Sequence, residues 1–171
     1  MSDAMIEIKG YGAEVLTQDY LLTGDLVPLG PLLSFLNVAD RGAVMLKDVN
    51  AAGLSEGNTA QSFHAPELIV SKNEIIAIRL LDPVTPGTVQ LLPRRERLLV
   101  FTPRVVIQAD FHCGPDTRAN DLFEATPGRW APASNAFVHP LLHTRVPLFE
   151  SASVLLVNKR HIRMYQPIET G

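Results

Sequence analysis

The sequence predicts a mainly β chain that runs through one small unit twice, each copy having about five strands and a short helical insert. Three observations carry this. Residues 67–80 read ELIVSKNEIIAIRL, two apolar runs on either side of a tight polar turn, and residues 154–167 repeat the plan as VLLVNKRHIRMYQP. The copies superpose with Val157-Asn158-Lys159 over Val70-Ser71-Lys72, an offset of 87 positions. A pair of strand-like runs also opens each copy. Apolar, β-branched runs bounded by polar turns are strand signals, and a fixed offset marks internal repetition.

The elements follow in order. The first copy opens with Glu14-Val15-Leu16-Thr17, breaks at Gln18-Asp19, and continues through residues 20–27. The second opens with residues 97–102, breaks at Pro103-Arg104, and continues through residues 105–112. Each reads as a hairpin, because a two-residue polar break between apolar runs favours a turn and Pro pre-sets φ there. Asp25 matches Asp110 at an offset of 85, so two residues are gained further along. Residues 31–37 and 117–124 carry Pro or Asp near their entry and closely spaced apolar residues, which predicts helices of one or two turns. A third strand is expected at residues 43–49 and 131–138. Then come a polar loop and the strand pair quoted above, which reads as a closing hairpin. The expected boundaries are residues 1–82 for the first copy, 83–96 for a Pro/Gly/Arg linker and 97–171 for the second. Copies this small bury little surface alone and are expected to pack on each other or on another chain.

Composition narrows the partners. An apolar fraction of 46% against 19% charged is that of a globular chain, not a disordered one. A net charge of −3 offers no general attraction to phosphates, which disfavours nucleic acid. The single cysteine, Cys113, excludes an intrachain disulfide. The first residues lack the basic and apolar regions of a secretory signal. The longest apolar stretch, residues 26–38, is broken by Pro28, Gly30, Pro31, Ser34 and Asn37, whereas a membrane span needs ~20 nearly unbroken apolar residues. A cytoplasmic protein with no membrane partner is expected.

Leu22-Thr23-Gly24-Asp25-Leu26, continued by Val44-Met45-Leu46-Lys47-Asp48-Val49, resembles the first Sm motif, and residues 68–78 and 155–165 resemble the second. Over roughly residues 13–81 and 97–167 the chain is similar to a tandemly duplicated Sm-like small β-barrel, and to bacterial proteins that carry such a unit twice. The resemblance implies two tandem Sm-like or SH3-like small barrels. It also implies RNA binding through the tight turns, at Lys72, Asn73, Lys159 and Arg160. Two departures stand against a full match. The family's turn carries an Arg-Gly or Lys-Gly step that is absent here, and its helix precedes the first strand instead of following the second.

For chemistry, Asp110, His112, His139 and His143 form the best metal set. Asp110 and His112 alternate onto one strand face, and His139 and His143 have a spacing seen among zinc ligands. Pro140, directly after His139, argues against one regular helix bearing both. Cys113 beside a histidine could act as a nucleophile, but no orienting third residue is identifiable and a lone cysteine commonly serves as a small buried apolar group. Arg94, Arg95 and Arg97, and Lys159, Arg160 and Arg163 in the last hairpin, could meet phosphates or an acidic partner, or simply solvate strand ends. Trp130 reads as core. No glycine-rich phosphate loop and no nucleophile elbow is present. The leading expectation is a non-enzymatic interaction or scaffold module without a cofactor, which self-associates or binds another protein through exposed strand edges. The alternatives are an RNA-binding Sm-like protein and a metal-dependent enzyme using zinc at the second-copy histidines.

Overall fold

The computed structural model describes residues 10–28, 30–57, 62–81, 89 and 91–169. The first half comprises β1 (Tyr11–Thr17), β2 (Tyr20–Leu26), helix α1 (Leu32–Asn37), β3 (Ala43–Gly53), β4 (Ser62–Ser71) and β5 (Ile75–Leu80). The second comprises β6 (Arg94–Phe101), β7 (Val105–Cys113), helix α2 (Leu122–Ala125), β8 (Trp130–Pro140), β9 (Ser151–Asn158) and β10 (Met164–Pro167). A single 3-10 turn leads from β4 to β5 (Lys72–Glu74) and from β9 to β10 (Lys159–His161). The mainly β class and the helical insert after each second strand are as expected.

All ten strands lie in one open antiparallel sheet, in the order β10-β6-β7-β8-β9-β5-β1-β2-β3-β4. Each half therefore uses the same internal order, with its fifth strand beside its first and its fourth strand at the far side. The halves meet where β5 pairs with β9, through Ala77↔Val157, Ile78↔Leu156 and Arg79↔Leu155. Two tandem small barrels were expected, with their separate closure left open, and the strands instead form a single continuous sheet.

Two further expectations need correction. The runs flanking each tight turn are not hairpins, because β4 pairs with β3 whereas β5 pairs with β1 and β9. The 3-10 turn redirects the chain instead of folding it back on its neighbour. Arg94 and Arg95, expected in the linker, already belong to β6, opposite Cys113 and His112.

Curvature follows from covalent reach. In each half the fourth and fifth strands stand at opposite ends of a five-strand strip, roughly 19 Å apart if the strip were flat. The chain from Ser71 to Ile75 spans at most about 14 Å. The strip must curl, and a matched irregularity helps it do so. Pairing shifts register between Thr23 and Asp25 on β2, and again between Gln108 and Asp110 on β7. A Cβ on Gly24 at the first of these would stand 2.9 Å from the Lys47 carbonyl oxygen, so the close crossing requires glycine there.

The core is shared between halves. One cluster packs Leu16, Leu54 and Ile76 of the first half with Ile107, Phe111 and Leu155 of the second. The other packs Trp130, Val154 and Leu156 of the second half among Leu26, Phe35 and Ile78 of the first. Strand β5 is buried on both faces, with Ile75, Ile76 and Ile78 fully inaccessible, which is why its sequence runs apolar without alternation.

Candidate functional site

The metal set does not assemble. The Asp110 carboxylate accepts from Arg97 at 2.9 Å and from Asn135 at 3.2 Å, with Arg95 at 3.9 Å. Partial burial works to raise its pKa, but the Asn135 and Arg97 hydrogen bonds and the charges of Arg97 and Arg95 outweigh this and hold the carboxyl below the ordinary value. Both His112 ring nitrogens are engaged, Nδ1 with the Leu92 carbonyl at 2.7 Å and Nε2 with Ser134 Oγ at 2.8 Å. His139 is exposed on β8 opposite Val106, and His143 lies in the following loop, 3.8 Å from Glu56. Among the described residues no group of three or more His, Cys, Asp or Glu is placed to share a metal ion. Shared strand face was a sound argument for Asp110 and His112. It could not show that Arg97 and Asn135 would claim the carboxylate and Leu92 and Ser134 the imidazole.

The turn residues carry structural duties. Lys72 is buried, and its Nζ donates to the carbonyls of Phe35 and Val38 at the end of α1, at 2.9 and 3.3 Å. Burial, reinforced by Arg129 and Arg41, lowers its pKa. Lys159 repeats the arrangement, donating to the Thr126 carbonyl and hydroxyl at 2.7 and 2.8 Å after α2, and burial lowers its pKa as well. Each lysine thus ties the helical insert of its half to the tight turn. Asn73 accepts through Oδ1 from Arg129 and Arg160, both at 2.9 Å, while its carbonyl meets His161 Nε2 at 2.7 Å. All four turn residues expected to touch RNA therefore hold the two halves or the helices in place. Arg160 is the most exposed cation of the set.

Cys113 is buried, and burial raises its thiol pKa, the opposite of what a nucleophile needs. Arg94 donates to the carbonyls of Gly114, Pro115 and Thr117 and pairs with Glu96, fixing the turn after β7. Trp130 is core, with its backbone N–H donating to Asn37 Oδ1 across the halves.

What remains is the two ends of the sheet. Among the described residues strand β4 pairs only with β3, and β10 only with β6, so one side of each offers backbone groups to a further strand. Each free edge is also apolar. Ile69 on β4 is 62% exposed and Met164 on β10 is 60% exposed, the highest values among the exposed large apolar residues. A groove beside β4 is lined by Tyr20, Leu22, Phe63 and Leu68, with Asp19 and Glu74 on its rim. A second groove beside β10 is lined by Phe123, Ile162 and Tyr165, next to Lys159 and Arg163. The sequence signalled exposed edges in general terms. It had no local signal for which two of ten strands would hold them.

No family model, curated protein or solved structure matches the chain. Among the described residues no helix is long and apolar enough to cross a membrane.

Proposed function

We propose that the protein is a non-enzymatic interaction module, made of two small barrel-like halves of the Sm-like kind, that binds protein by strand addition at its free sheet edges. The observation that carries this is the β5–β9 junction. There the fourth strand of one half accepts the fifth strand of the other, in a ladder sealed by apolar side chains. The fourth strand of the first half and the fifth strand of the second lack such a partner among the described residues, yet they carry the most exposed apolar side chains. Strand addition uses backbone hydrogen bonds for affinity and alternate side chains for selectivity. Natural proteins usually blunt such edges with charge or proline. Here Pro66 on β4 and Pro167 on β10 shorten the open stretch, and Ile69 and Met164 leave the rest of it adhesive.

The test is light scattering on the gently purified protein, with identification of anything that co-elutes. The module runs above its chain mass of 18.7 kDa, alone or with bound protein. A clean monomer that binds nothing overturns the reading.

A further inference from the structure

We propose that Ser134 is an activated nucleophile, an acyl-accepting serine whose base is His112, on a face of the sheet that edge binding does not use. Ser134 Oγ lies 2.8 Å from His112 Nε2, and His112 Nδ1 lies 2.7 Å from the Leu92 carbonyl oxygen. A carbonyl can only accept, so Nδ1 carries the ring proton, and Nε2 of the neutral imidazole offers its lone pair to the serine O–H. A nucleophile, its base and a third group that orients the base are thereby in contact, which is the arrangement that activates a hydroxyl. The imidazole is held in place by burial, at 8% exposed, while Ser134 is half-buried and open to solvent in part.

The first half builds the same strands without this pair. Asp110 opposite Ser134 corresponds to Asp25 opposite Lys47, at offsets of 85 on the second strand and 87 on the third. Those offsets carry His112 to Val27 and Ser134 to Lys47. Arg95 and Arg97, which stand opposite His112 and Asp110 on β6, correspond to Gly10 and Gly12. Only the aspartate is kept. The strand geometry therefore does not demand a serine and a histidine at these positions.

Charge beside Ser134 suits an acyl donor. Arg95 and Arg97 bring two positive charges against the one negative charge of Asp110, an excess of one. Arg97 is committed to the carboxylate at 2.9 Å. Arg95 is looser, at 3.9 Å and with its side chain 53% exposed, and is the donor for a carbonyl oxygen that gains charge during attack. Ser134 Oγ bonds to the carbonyl carbon of an ester or thioester, and its proton passes to His112 Nε2. The bond from that carbon to the leaving group then breaks, and His112 returns the proton to the departing oxygen or sulfur. The acyl group remains on Ser134 as an ester, one per chain. The ligand class is a small activated acyl donor.

The probe is an alkyl fluorophosphonate, which marks activated serines: Oγ bonds to phosphorus, fluoride leaves and the serine proton passes to the base. The folded parent is expected to gain one adduct per chain in its intact mass, located to Ser134 by peptide mass spectrometry. The exposed Ser151 and Ser153 of β9 are references within the same chain. Ser134 is expected to react about 100-fold faster than either, the contribution of a positioned base. His112→Gln keeps a polar side chain and is expected to lose that advantage, and Ser134→Ala is expected to take up no adduct beyond the slow labelling of the reference serines. A Ser134 that reacts no faster than Ser151 and Ser153 in the folded parent overturns the proposal, whatever the variants do. Undiminished labelling in a His112→Gln protein with the parent's melting temperature overturns it as well. Strands β7 and β8 lie inside the strand order, so edge binding stands or falls on its own test.

Discussion

Asp48 and Asn135, 87 positions apart, both adopt left-handed backbone conformations, with φ of +52° and +50°. Each sits in the third strand of its half, opposite the register shift on the second strand. Aspartate and asparagine tolerate this region better than other residues bearing a Cβ, so the chain twice places a short polar side chain where the strand must bulge. Asn135 also donates to Asp110, so the comparison that isolates conformation is Asn135→Gly against Asn135→Ala. Both lose the hydrogen bond, and only alanine keeps the Cβ. Alanine is expected to be less stable than glycine by about 1 kcal/mol. Equal stability in urea would mean that the bulge stores no backbone strain.

Asn158 joins the halves from a fully buried position. Its Nδ2 donates to the carbonyls of Lys72 and Ile75 at 3.1 and 2.9 Å, and its Oδ1 accepts from the Arg160 N–H at 3.1 Å. Asn158→Ala removes the amide that donates to both carbonyls and accepts from Arg160, and is expected to cost about 1–3 kcal/mol. Asn158→Asp is worse, since it turns a carboxylate towards two carbonyl oxygens. Denaturation midpoints rank the three proteins, and an Asp variant as stable as the parent would count against this geometry.

Ile76 reaches from β5 into the cluster that holds the second half's core. Ile76→Ala is expected to cost about 2–5 kcal/mol. Because each cluster draws on both halves, the loss is expected in a single transition seen alike by Trp130 fluorescence and by far-ultraviolet circular dichroism. Two separated transitions, only one of them shifted, would show that the halves fold independently.

Acid stability depends on Asp110. Its folded pKa lies below the ordinary value of 3.8, so the unfolded chain takes up this proton first as pH falls. The carboxylate's contribution is complete well above pH 3.8 and is lost as pH drops through the lower folded value. Asp110→Asn is expected to reduce stability near pH 7 and to flatten the acid limb of the stability profile. Parallel profiles for parent and variant between pH 6 and 2 would rule out this role.

The opening hairpins and both helical inserts were legible because each is a local pattern: apolar runs, a two-residue break, a Pro or Asp at an entry. The β5–β9 pairing was not, since residues as far apart in the chain as Ala77 and Val157 carry no signature of their meeting. The closing hairpin was misread for a related reason. Lys72-Asn73-Glu74 has the length of a hairpin turn, and nothing in it reveals that Ile75 departs towards β1. Lys72 and Lys159 looked like surface charge by residue type. Only the folded chain brings the carbonyls of Phe35, Val38 and Thr126 within their reach.

Because the β5–β9 contact lies within one chain, its effective concentration is of millimolar order or more, and the two surfaces can remain joined at any dilution. Contacts too weak to hold separate molecules together suffice there. That relaxes the demand on each residue of the β5–β9 ladder, which holds the halves together with only three pairs of residues.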